Sequence, residues 1–126
     1  MAQMNKLSHG EAGAEIERTM GIIGGKWKGV ILYHLAESET RFNQLRRLIP
    51  GITQRMLTLQ LRELEKDGIV ERLAYQEVPL RVGYRLSELG HSLLPLLGMI
   101  QQWGEEYRRA RSESSRDDRL TAADLR

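Results

Sequence analysis

Apolar residues recur along this chain at two periods, and the change from one to the other divides it. In "AEIERTMGIIGGKWKGVILYHLAE", Ile16, Met20 and Ile23 step by four and three, and Trp27, Ile31, Leu32 and Leu35 form a second such stripe. Both patterns predict helices, separated at Gly24-Gly25. "TRFNQLRRLIPG" predicts a third helix with Phe42, Leu45, Leu48 and Ile49 facing inward and Pro50-Gly51 ending it. "ITQRMLTLQLRELEKDG" predicts a fourth, with Thr53 as N-cap, Gly68 as terminator and Leu57, Leu61 and Leu64 on one narrow stripe. The third and fourth helices are joined by a turn of about four residues, the spacing of a helix-turn-helix.

The period then drops to two. "IVERLAYQ" and "RVGYRL" read as strands, with Val82, Tyr84 and Leu86 alternating with Arg81, Gly83 and Arg85. Pro79 between them breaks the pairing, so this is a β-hairpin with a loop at its tip. The helical period returns through Leu89, Leu93, Leu96, Ile100, Trp103 and Tyr107. Pro95 predicts a kink or a broken start there. Helices, then a hairpin, then a long helix make a mainly α (α+β) chain with the layout of a winged helix-turn-helix. Its ordered part is expected over residues 14–110, with a mobile tail at 1–13 and a polar, disordered tail at 111–126.

The outward side of the fourth helix carries the chemistry. Opposite the leucine stripe lie Arg55, Leu59, Arg62 and Lys66, flanked by Gln54 and Thr58 near the start. An α-helix fits the DNA major groove, where Arg pairs with guanine, Gln with adenine, and Thr with either base edges or phosphate. Base reading is therefore expected of Gln54, Arg55, Thr58 and Arg62. Backbone contacts are expected of Arg46, Arg47, Thr53, Lys66 and Arg81. A solvated surface helix accounts for the same charges, and Glu63, Glu65 and Asp67 dilute them; the hairpin that follows tips the balance towards DNA.

Composition adds a little. The 126 residues carry a net charge of +2, but from Arg41 to Leu86 nine Lys/Arg stand against five Asp/Glu, nine minus five being +4. There is no cysteine, which rules out disulfides, thiolate catalysis and cysteine-ligated metals. The three histidines form no pair with metal spacing, no Ser/His/Asp set is evident, and "GIIGG" lacks the strand and the lysine-hydroxyl ending of a phosphate loop. No catalytic residue, metal or cofactor is expected. The start holds no apolar run of the signal-peptide kind, and no stretch nears the ~18–20 apolar residues of a membrane span. A cytoplasmic protein without membrane contact is expected. Trp27 and Trp103 could line an aromatic pocket, but core packing explains them more simply.

Taken together, "IGGKWKGVILYHL", "RFNQLRRLIPGITQRMLTLQLRELEKDGIVER" and "VPLRVGYRLSELGHSLLPLL" resemble the HxlR family of bacterial transcription regulators. The likeness runs from about Glu15 to Tyr107 through ordered landmarks such as Gly24-Gly25-Lys26-Trp27, Pro50-Gly51-Ile52, Gly68, Arg72, Pro79 and Gly90. It implies a homodimeric winged-helix DNA-binding protein; a repressor is expected, with activation left open. The helix matching Thr53–Lys66 would enter the major groove, the hairpin matching Val70–Leu86 would form the wing, and the first and last helices would form the dimer interface. Ile16, Met20, Leu93, Leu97, Ile100, Trp103 and Tyr107 are the interface candidates. Independently of the resemblance, Leu93, Leu94, Leu96, Leu97, Met99 and Ile100 wrap more than half of the last helix, more than a small domain covers alone.

Two departures from the family pattern matter. Ala14-Glu15 stands where many relatives carry Cys-Pro, so thiol sensing is not carried over, and thiol oxidants or alkylators are expected to leave binding unchanged. A small-molecule effector of unidentified chemistry is retained as a candidate partner. Gly83 and Ser87 stand where Glu and Thr are more usual, which predicts a looser second wing strand. The competing reading from another class is a winged-helix protein-interaction module that uses its basic face for solubility; Leu59 and the acidic residues of the fourth helix are its best support.

Overall fold

The computed structural model describes the backbone of residues 7–124 and the side chains of residues 7–116. Among them are α1 (His9–Ile23), α2 (Lys28–His34), β1 (Thr40–Arg41), α3 (Phe42–Leu48), α4 (Gln54–Lys66), β2 (Val70–Tyr75), β3 (Arg81–Leu86), α5 (Glu88–His91) and α6 (Leu94–Asp124). The chain divides into two compact units, one ending at Ser92 and one beginning at Leu93.

In the first unit the leucine stripe of α4 does what its spacing predicts. Leu57, Leu61 and Leu64 are 0%, 1% and 0% exposed, and they share the core with Ile31, Leu32, Leu35, Leu45, Ile49, Ile69, Val70 and Leu86. At roughly 25 cal/mol per Å² of apolar surface, burying each such side chain contributes about 1.5–3 kcal/mol. Thr53 caps α4 by accepting from the Met56 N–H at 3.1 Å. Gly51 and Gly68 take positive φ values of 87° and 76° at the ends of α3 and α4. An L side chain is strained in that region, which is why these positions punctuate the helix-turn-helix.

The hairpin pairs Val70 with Leu86 through Tyr75 with Arg81, antiparallel. The short strand β1 joins it on the far side, giving the order β1-β3-β2. β1 is too short to carry a period, so the sequence pattern does not reveal it. It pairs Thr40 with Tyr84 and Arg41 with Gly83, so Gly83 lies on the central strand with a partner on each side. The glycine does not interrupt the ladder, because backbone pairing does not need a side chain. Ser87 also has a definite role, donating to the Gly68 carbonyl at 2.6 Å and accepting from the Gly90 N–H at 3.0 Å as the cap of α5.

Other expectations need correction. Leu48 is 43% exposed and Phe42 half-buried: each lies about 60° round α3 from Leu45, the residue of that helix that enters the core. α1 begins at His9, inside the expected 1–13 tail, because Ser8 accepts from the Glu11 N–H at 3.1 Å and caps it; residues 1–6 lie outside the described residues. Ser8-x-x-Glu11 is the sequence signature of such a start. In the second unit α6 extends to Asp124, through the expected 111–126 tail up to that residue. Arg, Glu and Ala favour helix, and once a helix has begun each further residue adds a hydrogen bond. Pro95 falls in the first turn of α6, where its missing N–H is tolerated, and α5 is a separate short helix. Trp103 is not core packing: it is 64% exposed and stacks on Tyr107 with ring centres 5.2 Å apart.

Candidate nucleic-acid interface

The helix-turn-helix and the wing enclose a groove of about 940 Å³ in the first unit. α3 contributes Phe42, Asn43, Gln44 and Arg47. α4 contributes Gln54, Thr58, Arg62 and Glu65, and the hairpin contributes Arg72, Glu77 and Arg81. With Arg41, five arginines face two carboxylates, five minus two leaving +3. A cleft lined mainly by one sign of charge focuses its field on a partner of the opposite sign.

Of the expected base readers, Gln54, Thr58 and Arg62 line this groove; Arg55 is exposed on α4 outside it. Thr58 donates its hydroxyl proton to the Gln54 carbonyl at 2.8 Å, which leaves its acceptor lone pairs and its methyl group for a partner. Of the expected backbone contacts, Arg47 and Arg81 line the groove, whereas Arg46, Thr53 and Lys66 are exposed beyond it. Arg41 and Arg72 line the groove as well, outside the expected DNA contacts; for Arg72 its place among the landmarks of the family resemblance is the available signal.

Two ion pairs shape the site. Lys28, buried on α2, reaches Glu63 of α4 at 3.5 Å and ties the two helices together. Arg81 pairs with Glu77 at 3.3 Å, and its guanidinium stands 4.0 Å above the Tyr75 ring. The Tyr75 hydroxyl lies 2.8 Å from each oxygen of the Glu39 carboxylate, to which it donates. That hydrogen bond, followed by desolvation and the Glu39 charge, holds the phenol pKa above its ordinary value.

Of the interface candidates, Ile16 and Met20 on α1 and Ile100, Trp103 and Tyr107 on α6 are exposed in the single chain. Leu93 and Leu97 are half-buried. Among the described residues, no group of three or more His, Asp or Glu side chains is arranged to hold a metal. Nor, among them, is any helix long and apolar enough to cross a membrane.

A helix-turn-helix followed by a β-hairpin, with an arginine-lined groove between them, defines a DNA-binding regulator of the winged-helix class. The model of the HxlR-like helix-turn-helix family matches residues 22–112, and the chain belongs to that family. It is 51% identical over 111 residues to the HTH-type transcriptional regulator YdeP of Bacillus subtilis, spanning 88% of this chain and 82% of YdeP. The redox regulator HypR in its reduced form superposes with a TM-score of 0.75 at 50% identity, over 79% of this chain and 98% of HypR. A crystal structure of the HTH-type transcriptional regulator YtcD matches with a TM-score of 0.71 at 51% identity, over 75% and 96% of the two chains. These relatives are transcription regulators and not enzymes, and this chain is a DNA-binding transcription regulator.

Proposed function

We propose that the protein is a homodimeric, cytoplasmic repressor that reads a pseudo-palindromic operator. The observation that carries this reading is the groove between α3, α4 and the wing, where Gln54, Thr58 and Arg62 stand beside Arg41, Arg47, Arg72 and Arg81. α4 enters the major groove and the hairpin lies along the backbone. Gln54, Arg55, Thr58 and Arg62 contact base edges, and Arg46, Arg47, Thr53 and Lys66 contact phosphates, with Arg81 a phosphate contact where Glu77 releases it. The exposed apolar faces of α1 and α6 support pairing with a second copy, through Ile16, Met20, Leu93, Leu97, Ile100, Trp103 and Tyr107. A two-fold dimer places its half-sites ~34 Å apart, one helical turn of DNA. Repression follows where the operator overlaps a promoter.

HypR is described as a redox regulator. No cysteine is present here, so a thiol–disulfide switch has no chemical basis in this chain. A small-molecule effector is the alternative signal.

Fluorescence anisotropy tests the reading. DNA from the protein's own upstream region is titrated against a scrambled duplex at several salt concentrations. A preference of about 10³-fold or more, falling steeply with salt, is expected. Arg55→Ala is expected to weaken specific binding by about 1–3 kcal/mol; equal loss on both duplexes makes Arg55 a phosphate contact instead. One observation favours a second reading, a protein-interaction module: Leu59 and Met56 of α4 are 55% and 38% exposed. Equal, weak binding to both duplexes supports it.

A further inference from the structure

The arginines of the groove are not equivalent. Among the described residues, Arg41, Arg47, Arg62 and Arg72 form no ion pair, whereas Arg81 is held by Glu77 at 3.3 Å. Its surroundings reinforce that hold. The Tyr75 ring lies beneath the guanidinium at 4.0 Å, and this packing offsets the cost of Arg81 Nε, which is enclosed without a hydrogen-bond partner among the described residues. Tyr75 is tethered in turn by its hydrogen bonds to Glu39. A methyl group at position 83 would overlap the Glu39 carboxylate, so Gly83 leaves room for that tether. Glu39, Tyr75, Arg81 and Glu77 thus form one chain of contacts across the wing.

We propose that Glu77 is an internal competitor for the DNA backbone, which occupies Arg81 and so limits how many phosphates the wing neutralises. The inference rests on the DNA-binding reading above. Arg81 lines the groove, and its Nη2 already lies beside the Glu77 carboxylate, which lines the groove too. A phosphate must displace the carboxylate, and exchanging one anion for another gains far less than neutralising a phosphate with a free arginine. Tyr75 and Glu39 are positioning residues: they keep the guanidinium flat on the wing, within reach of Glu77. The wing tip itself presents Val78 and Leu80, both exposed, rather than a free cation.

The test is a double-mutant cycle on the full chain, read as the slope of log K against log salt on a random-sequence duplex. Glu77→Gln removes the competing charge and nearly preserves shape. The slope is expected to steepen by about 0.9, one further phosphate. Between about 50 and about 200 mM salt the variant then loses about three- to fourfold more affinity than the wild type. The decisive readout is the same substitution in an Arg81→Ala background, where this steepening is expected to vanish. A slope unchanged in Glu77→Gln overturns the proposal. So does a gain that persists without Arg81, because that gain comes from the removal of one negative charge from the general field. A wild-type chain that binds neither its upstream DNA nor the random duplex at low salt overturns the DNA-binding reading itself, and this inference with it.

Discussion

α4 and α6 are both helices whose apolar residues step by three and four, and they bury those residues to opposite extents. α4 turns Leu57, Leu61 and Leu64 wholly into the core and presents to solvent a mostly polar side that also carries Met56 and Leu59. α6 leaves Leu96, Met99, Ile100, Trp103 and Tyr107 exposed, 36–68% of each being accessible. The same period thus has two outcomes. A stripe states that an apolar face will be covered, because its exposure to water is unfavourable. It does not state whether the cover comes from the same chain or from another copy. Where a long helix carries apolar residues around most of its circumference, a second chain is the economical cover.

The sharpest way to break that contrast is to truncate one residue on each helix and compare what is lost. Leu61→Ala leaves a cavity under α4 and is expected to lower folding stability by about 2–5 kcal/mol, read from the urea midpoint. Trp103→Ala is expected to weaken self-association by about 2 kcal/mol, about 30-fold in the dimer dissociation constant, measured by sedimentation at several concentrations. An unchanged dissociation constant would remove the α6 face from the dimer and erase the distinction between the helices. Thr53→Ala, which leaves the leucine stripe intact and removes only the cap, is expected to cost about 1 kcal/mol of stability. A loss as large as that of Leu61→Ala would mean that α4 depends on its end rather than on its buried face.

Much of the fold is legible in the sequence, for reasons that differ from element to element. α4 is readable because cap, stripe and terminating glycine agree over one continuous segment. The hairpin is readable because alternation over "RVGYRL" needs only local register. β1 is not, since two residues cannot express a period and their pairing with Tyr84 and Gly83 is non-local. Leu48 misleads because a step of three sets it about 60° round the helix from Leu45, whereas Ile49, a step of four and about 40° to the other side, is buried. In the groove, Arg62, Gln54 and Thr58 follow from helix geometry on α4 alone. Arg41 and Arg72 come from β1 and β2, and only the folding of three elements against α4 brings them to the same cleft.

Residue types and their spacing alone determined the helix-turn-helix, its wing, the basic outer side of α4 and the impossibility of a thiol switch. Each of these depends on neighbours within about one element, where backbone geometry converts sequence distance into direction. The tertiary structure alone decided which arginines share a groove, that Lys28 is buried against Glu63, and that Arg81 is already paired with Glu77 above Tyr75. Charge counted along a chain treats every arginine alike. Whether a cation is free depends on an anion within a few ångströms, and for Lys28 and Glu63 that distance is set by the packing of helices far apart in sequence.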